Sequence, residues 1–141
     1  MAKDIYCKGT MNDIEDTLRE IGEKMPPEFV CELRDIMHKS KNGHELNSRV
    51  NILSMANIGK EGYDCGQDDI PFDGLLTEAE RCKNYEDETE WYWLSSPNLS
   101  SSASFYGVAY SGSAGSSRSA SNVYGVVPSF SFFNPNKQDN N

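Results

Sequence analysis

The sequence predicts an α+β domain, with helix concentrated in the amino-terminal third and sheet in the carboxyl-terminal third. Three observations carry that expectation. Met11, Ile14, Leu18, Ile21 and Met25 recur at spacings of three and four residues, the period of one helix face. Residues 91–94 read Trp-Tyr-Trp-Leu, a run of large side chains without polar alternation, as in a strand covered on both faces. Residues 126–133 set Val127, Ser129 and Ser131 against Pro128, Phe130 and Phe132, the period-two pattern of a strand with one apolar face.

A chain of 141 residues suits one domain. With 37% hydrophobic and 11% aromatic residues it can fill a core, and its mean hydropathy of -0.65 implies a very polar surface. The net charge of -9 argues against nucleic acid as a partner, because phosphate binding draws on lysine and arginine. No long apolar run or leader pattern is present, so the expectation is synthesis in a reducing cytoplasm without membrane insertion. Cys7, Cys31, Cys65 and Cys82 form no C-x-x-C pair, which leaves buried free thiols as the expectation rather than a zinc or redox site.

In chain order, Ile5 and Tyr6 belong to an edge strand or a tail. Thr10, with Asp13 three residues on, caps a helix that carries the Met11 to Met25 stripe. That stripe spans two heptads and has two readings, a short trimerising coiled coil or a face packed on its own domain. Pro26-Pro27 closes this helix and opens a second, in which Phe29, Val30, Leu33, Ile36 and Met37 line one face to about residue 39. His38 and His44 follow as surface residues. Residues 45–60 read as a strand leading into a turn at Gly59. The acidic stretch 62–69, with Asp64, Asp68 and Asp69, lacks the alternating ligands of an EF-hand loop and is read as a solvated loop. Thr77, with Glu80 at the third helical position, predicts a capping box after a strand end at Leu75-Leu76.

Residues 95–122 contain twelve serines, three glycines and three aromatics, too little apolar surface to fold alone. Because both flanks are strongly apolar, the segment is read as loops held on a sheet rather than as a linker. Phe105, Tyr106, Val108 and Tyr110 give it one strand-like run, stopped at Ser111-Gly112. Between residues 95 and 133 the only charged side chain is Arg118. Such a surface, low in charge and rich in Ser, Tyr, Asn and Gly, suits adaptable recognition.

The order LLTEAERCKN, YWLSSP, FYGV and GVVPSFSF over residues 26–133 resembles a bacterial and phage domain of unassigned function. Its marks are a tryptophan-leucine-arginine-serine-proline strand and a later glycine-valine-arginine-proline strand. Tyr92, Trp93, Leu94, Ser96 and Pro97 match the first, and Gly125, Val126 and Pro128 the second. Ser95 and Val127 stand where arginine is usual. That domain is similar to the C-type-lectin fold of formylglycine-generating enzymes and of the variable proteins of diversity-generating retroelements. The resemblance implies small antiparallel sheets, one or two N-terminal helices and long ordered loops. A tail and helix over 1–25, for oligomerisation or docking, would precede the domain, and a polar tail over 134–141 would follow it. It also implies that Asn98, Ser104, Tyr106, Tyr110, Ser113, Ser116, Ser117, Arg118, Asn122 and Tyr124 face outward as ligand-binding positions.

Neither a G-x-S-x-G elbow nor a histidine within the serine-rich segment supports nucleophilic catalysis. No cysteine follows Cys82, whereas the formylglycine-generating relatives depend on paired cysteines near the end of their fold. The calcium-linked sugar triplets of animal lectins are absent as well. The resulting expectation is a non-enzymatic module without metal or cofactor, displayed on a phage virion or fibre, with a homotrimer as one assembly. Its partner would be a host-surface protein or glycan, or other virion proteins. Alternatives are a decoration protein with no soluble ligand and a small acidic protein that covers a basic surface of a host factor.

Overall fold

The computed structural model of the chain describes residues 5–31, 36–39, 45–48, 50–63, 70–101 and 103–130, of which 36–39 and 45–48 are described by backbone alone. The acidic stretch 64–69, His44, Cys65, residues 131–133 and the 134–141 tail lie outside the described residues, as does the side chain of His38.

A short edge strand, β1 (Cys7–Gly9), opens the fold. The Thr10 hydroxyl then accepts the Asp13 N–H at 3.2 Å and caps a 3-10 turn, Met11–Asp13, that runs into α1 (Ile14–Glu23). Met11, Ile14, Leu18 and Ile21 are all buried, in one cluster with Val50, Ile52, Trp91, Trp93, Phe105 and Val126. A coiled coil through this stripe would have to withdraw it from the chain's own core, where each such side chain contributes roughly 1.5–3 kcal/mol. The intramolecular reading therefore describes the helix, and α1 is part of the same packed body as the sheet.

The second helix is much shorter than its periodicity predicts. α2 (Pro27–Val30) ends within one turn, and β2 (Ile36–Lys39) follows, paired antiparallel with β3 (Glu45–Ser48). Five apolar residues in nine positions fit either period, and pairing with β3 settles the matter. Beyond it come β4 (Asn51–Ile52) and a 3-10 turn, Ala56–Ile58, ended by Gly59 at φ 85. α3 (Glu78–Arg81) carries the capping box: the Thr77 hydroxyl accepts the Glu80 N–H at 3.2 Å, while the Glu80 carboxylate accepts the Thr77 N–H at 3.1 Å. β5 (Asn84–Tyr85) and β6 (Glu88–Thr89) form a hairpin across Glu86 and Asp87, both at positive φ as a type I′ turn requires.

β7 (Tyr92–Pro97), β8 (Ser104–Val108), β9 (Ala114–Ser119) and β10 (Tyr124–Val126) join β1 in a five-stranded sheet of order β1-β10-β7-β8-β9. β7 is central, and all six of its residues are buried. Its neighbours cover both faces: Trp93 points to the α1 side, while Tyr92 and Leu94 point to a second cluster with Leu53, Met55, Ile58, Leu75, Val108 and Val127. Past Trp93 the register with β8 shifts, to resume at Pro97 opposite Phe105, and residues 53–55 bond to the strand in between. The Ser95 N–H donates to the Leu53 carbonyl at 2.8 Å, and the Ser96 hydroxyl accepts the Met55 N–H at 3.0 Å, which keeps the hydroxyl of Ser96 satisfied inside the core.

The carboxyl-terminal strand is not continuous. β10 ends at Val126, and β11 (Pro128–Ser129) pairs instead with β4. Val127, expected on the hydroxyl face, is buried, while Phe130, expected on the apolar face, is 36% exposed. Proline at 128 has no N–H with which to continue a ladder, so the chain leaves one sheet for another there.

The described cysteines, Cys7, Cys31 and Cys82, are free thiols. None is fully buried, contrary to expectation; Cys31 is exposed and the other two are half-buried, with burial pushing the Cys7 thiol up. Among the described residues no helix is long and apolar enough to cross a membrane.

Candidate functional site

The serine-rich segment folds because β7 supplies a template for it. Phe105 and Val108 are buried, and β9, although it has no large apolar residue, is held by its ladder to β8, with Ser104 opposite Ser119, Tyr106 opposite Ser117 and Val108 opposite Ala114. At one end of this hairpin the Gly112 N–H donates to Ala109 at 2.9 Å and the Ala109 N–H to Ser113 at 2.8 Å. Gly112 sits at φ 88, and a Cβ there would run into the Glu78 carbonyl of α3, so only glycine fits. At the other end the Ala120 N–H donates to Ala103 at 2.7 Å and ties the 98–103 loop to the 119–123 turn.

The ten positions marked in the sequence do not form one patch. Asn98, Ser104, Tyr106 and Ser117 share one side of the ladder, with the Asn98 side-chain amide donating to the Ser117 hydroxyl at 2.9 Å. Arg118, Asn122 and Tyr124 are grouped on or beside the other side. Tyr110 and Ser113 occupy the turn at the opposite end of the hairpin, and Ser116 lies exposed on β9.

Exposure divides them further. Tyr110 is 56% exposed, and Ser113, Ser116, Arg118 and Asn122 are exposed too. Tyr106 and Tyr124, expected to face outward, are half-buried. The Tyr106 ring meets Tyr63 edge-on at 4.9 Å, and Tyr124 packs tilted against Trp91 at 4.4 Å and edge-on against Trp93 at 5.2 Å. Strand parity directs both rings toward faces that other elements cover. The Arg118 guanidinium lies 5.7 Å above the Trp91 ring and donates to the Ser117 carbonyl at 3.0 Å, so the one cation of the segment rests on the aromatic group.

Two exposed apolar residues beside these positions were missed in the sequence. Leu99 is 46% exposed and Val123 56% exposed, on the two loops that the Ala120 to Ala103 hydrogen bond joins. The available signal was a lone aliphatic residue inside each polar run.

Tyr110 also borders an ion pair, Lys8 with Glu90 at 3.0 Å. Burial pushes the Glu90 carboxyl up. The Lys8 hydrogen bond, the Trp91 N–H, the Lys8 charge and the Tyr110 phenol together outweigh it and hold the group below its usual value of 4.5. Its stabilising contribution is thus complete above pH 4.5 and disappears as pH falls through the lower folded-state value. Lys8 is raised above 10.5, chiefly by its hydrogen bond to Glu90, so the same pair is lost at the alkaline end as pH climbs past that raised value. Glu90→Gln is expected to lower stability at pH 7, with the two proteins converging well below pH 4.5; urea unfolding between pH 3 and pH 8 reads this directly.

Fold and site together define a small α+β domain that holds a nearly uncharged, hydroxyl-rich hairpin on an aromatic base. Residues 28–132, about three-quarters of the chain, match the family described as Domain of unknown function (DUF6273), and the chain belongs to that family. The matched segment omits β1 and α1, which nevertheless complete its sheet and core. Comparison with curated proteins and with solved structures returned no match.

Proposed function

We propose that the chain is a non-enzymatic binding module with a C-type-lectin-like fold, whose 95–124 loops contact a host-surface protein or glycan and which is displayed on a phage particle. The fold reading is supported by small sheets, an N-terminal helix and a long loop system held on a buried aromatic strand. The functional reading is carried by one observation: the joined 98–103 and 119–123 loops offer exposed Leu99, Val123 and Asn122 beside Arg118, on a segment that holds no other charged side chain in a chain of net charge -9. Apolar contacts rimmed by adaptable hydrogen-bonding groups suit a polar macromolecular surface. Several copies on one particle would offset weak single contacts through effective concentration.

The test is a Leu99→Glu, Val123→Glu and Asn122→Glu triple variant, with wild type and variant coupled to beads and offered to bacterial cells. All three side chains are exposed, so the melt should move by no more than about 0.5 kcal/mol per site. Attachment is expected to fall at least about tenfold, the equivalent of losing roughly 1.4 kcal/mol of binding. Equal attachment by a variant that melts like wild type would overturn the reading.

A further inference from the structure

Away from the 98–124 loops lies a cleft of about 610 Å³ that the recognition reading does not use. Leu53 and Val127, each 2% exposed, form its floor, and Phe72, Pro128 and Phe130 are among its walls. A cavity of this size and lining is that of a small-molecule site, in which a few polar groups fix orientation. Here the charged group on the lining is the exposed Asp73 carboxylate, which has no ion pair among the described residues. The floor is rigid because its two residues lie on neighbouring chain segments: Leu53 follows β4 and Val127 precedes β11, and those strands are hydrogen-bonded to each other.

We propose that this cleft binds a small organic cation with an apolar, ring-sized body, the body on Leu53 and Val127 and the ammonium group at Asp73. Charge selects the class. An organic anion would meet Asp73 directly and the field of a protein of net charge -9, while an uncharged body would gain nothing from the hydrated carboxylate. The aromatic wall residues Phe72 and Phe130 add attraction for a cation beyond that of the carboxylate.

The probes are 1-naphthylmethylammonium, 1-naphthylmethanol and 1-naphthylacetate, titrated into the full chain while the Leu53 and Val127 methyl resonances are followed. The ammonium probe is expected to shift those methyls saturably, with an affinity about three- to fivefold above that of the alcohol, the size an exposed ion pair gives. The acetate should bind more weakly than either. Asp73→Asn, a surface change that leaves the fold intact, should bring the ammonium probe to the level of the alcohol. Unmoved Leu53 and Val127 methyls with all three probes would overturn the proposal, as would an acetate affinity equal to that of the ammonium probe. Either failure leaves the bead-attachment test of the loops untouched, since no residue is shared.

Discussion

Gly107→Ala is expected to destabilise the protein by about 3 kcal/mol or more, at the upper end of what overpacking a core costs. In an ordinary strand the same change would help by roughly 0.5–1 kcal/mol, because glycine loses more backbone entropy on folding than alanine. Here packing reverses the sign. A Cβ on Gly107 would overlap three carbons of the Trp91 six-membered ring, and that ring, 2% exposed, is boxed in by Trp93 at 5.1 Å and Tyr124 at 4.4 Å. No part of it is a loose end that can swing aside. For a domain of this size the loss corresponds to a melting point lower by about 10 °C. Shortening the partner should relieve the clash, so in a Trp91→Phe background the same alanine is expected to cost only about 1 kcal/mol. A double-mutant cycle by urea unfolding measures the difference as a coupling between the two positions. Simple additivity of the two changes would mean that the ring does not lie on Gly107.

Arg81→Met is expected to cost about 3–5 kcal/mol, the loss seen when a buried charged network is broken. The Arg81 side chain, in a residue only 5% exposed, is satisfied by backbone carbonyls alone: Nε donates to Leu75 at 2.8 Å, Nη1 to Gly112 at 3.3 Å, and Nη2 to Ile58 at 3.1 Å and Leu76 at 3.0 Å. Its own carbonyl accepts the Tyr92 hydroxyl at 2.6 Å, in a setting where burial pushes the phenol well above its usual range. One guanidinium thereby ties together the 56–58 turn, the Leu75-Leu76 segment ahead of α3 and the 109–113 turn, and the backbone carbonyl of the same residue links them to the central strand through Tyr92. Methionine fills much of the volume and supplies none of the donors, leaving the carbonyls that face it unpaired. Arg81→Lys should keep the charge yet still lose about 2 kcal/mol, since one nitrogen cannot match a planar fork aimed at four acceptors. Because Gly112 is among those acceptors, amide exchange in residues 109–113, which carry Tyr110 and Ser113, is expected to quicken in both variants. Exchange that stays at the wild-type rate would count against the pinning role.

Features whose causes are local were legible in the sequence. Thr10 with Asp13 and Thr77 with Glu80 place a hydroxyl three residues before the N–H it accepts, and no distant residue changes that geometry. Trp91 to Leu94 announced a doubly covered strand, because four large apolar side chains in succession have no other economical place. Features set by a distant partner were not legible. β9 reads Ala-Gly-Ser-Ser-Arg-Ser and carries no strand signal, since an edge strand held by backbone hydrogen bonds needs none. The helix expected through residue 39 gave way to a strand once β3 was there to pair with it.

The candidate site divides along the same line. Its composition, a hydroxyl-rich segment with a single cation between apolar strands, is a property of the residues themselves. Which of those residues meet solvent is not, because a strand sends successive side chains to opposite faces, and exposure then depends on what has packed against each face. Tyr106 and Tyr124 turned inward against Tyr63 and the two tryptophans, while the unremarked Leu99 and Val123 were left outside on loops tied together by one hydrogen bond. The amino acids thus set the chemistry that the hairpin can offer, and the covering of its two faces by remote parts of the chain chose which of it is presented.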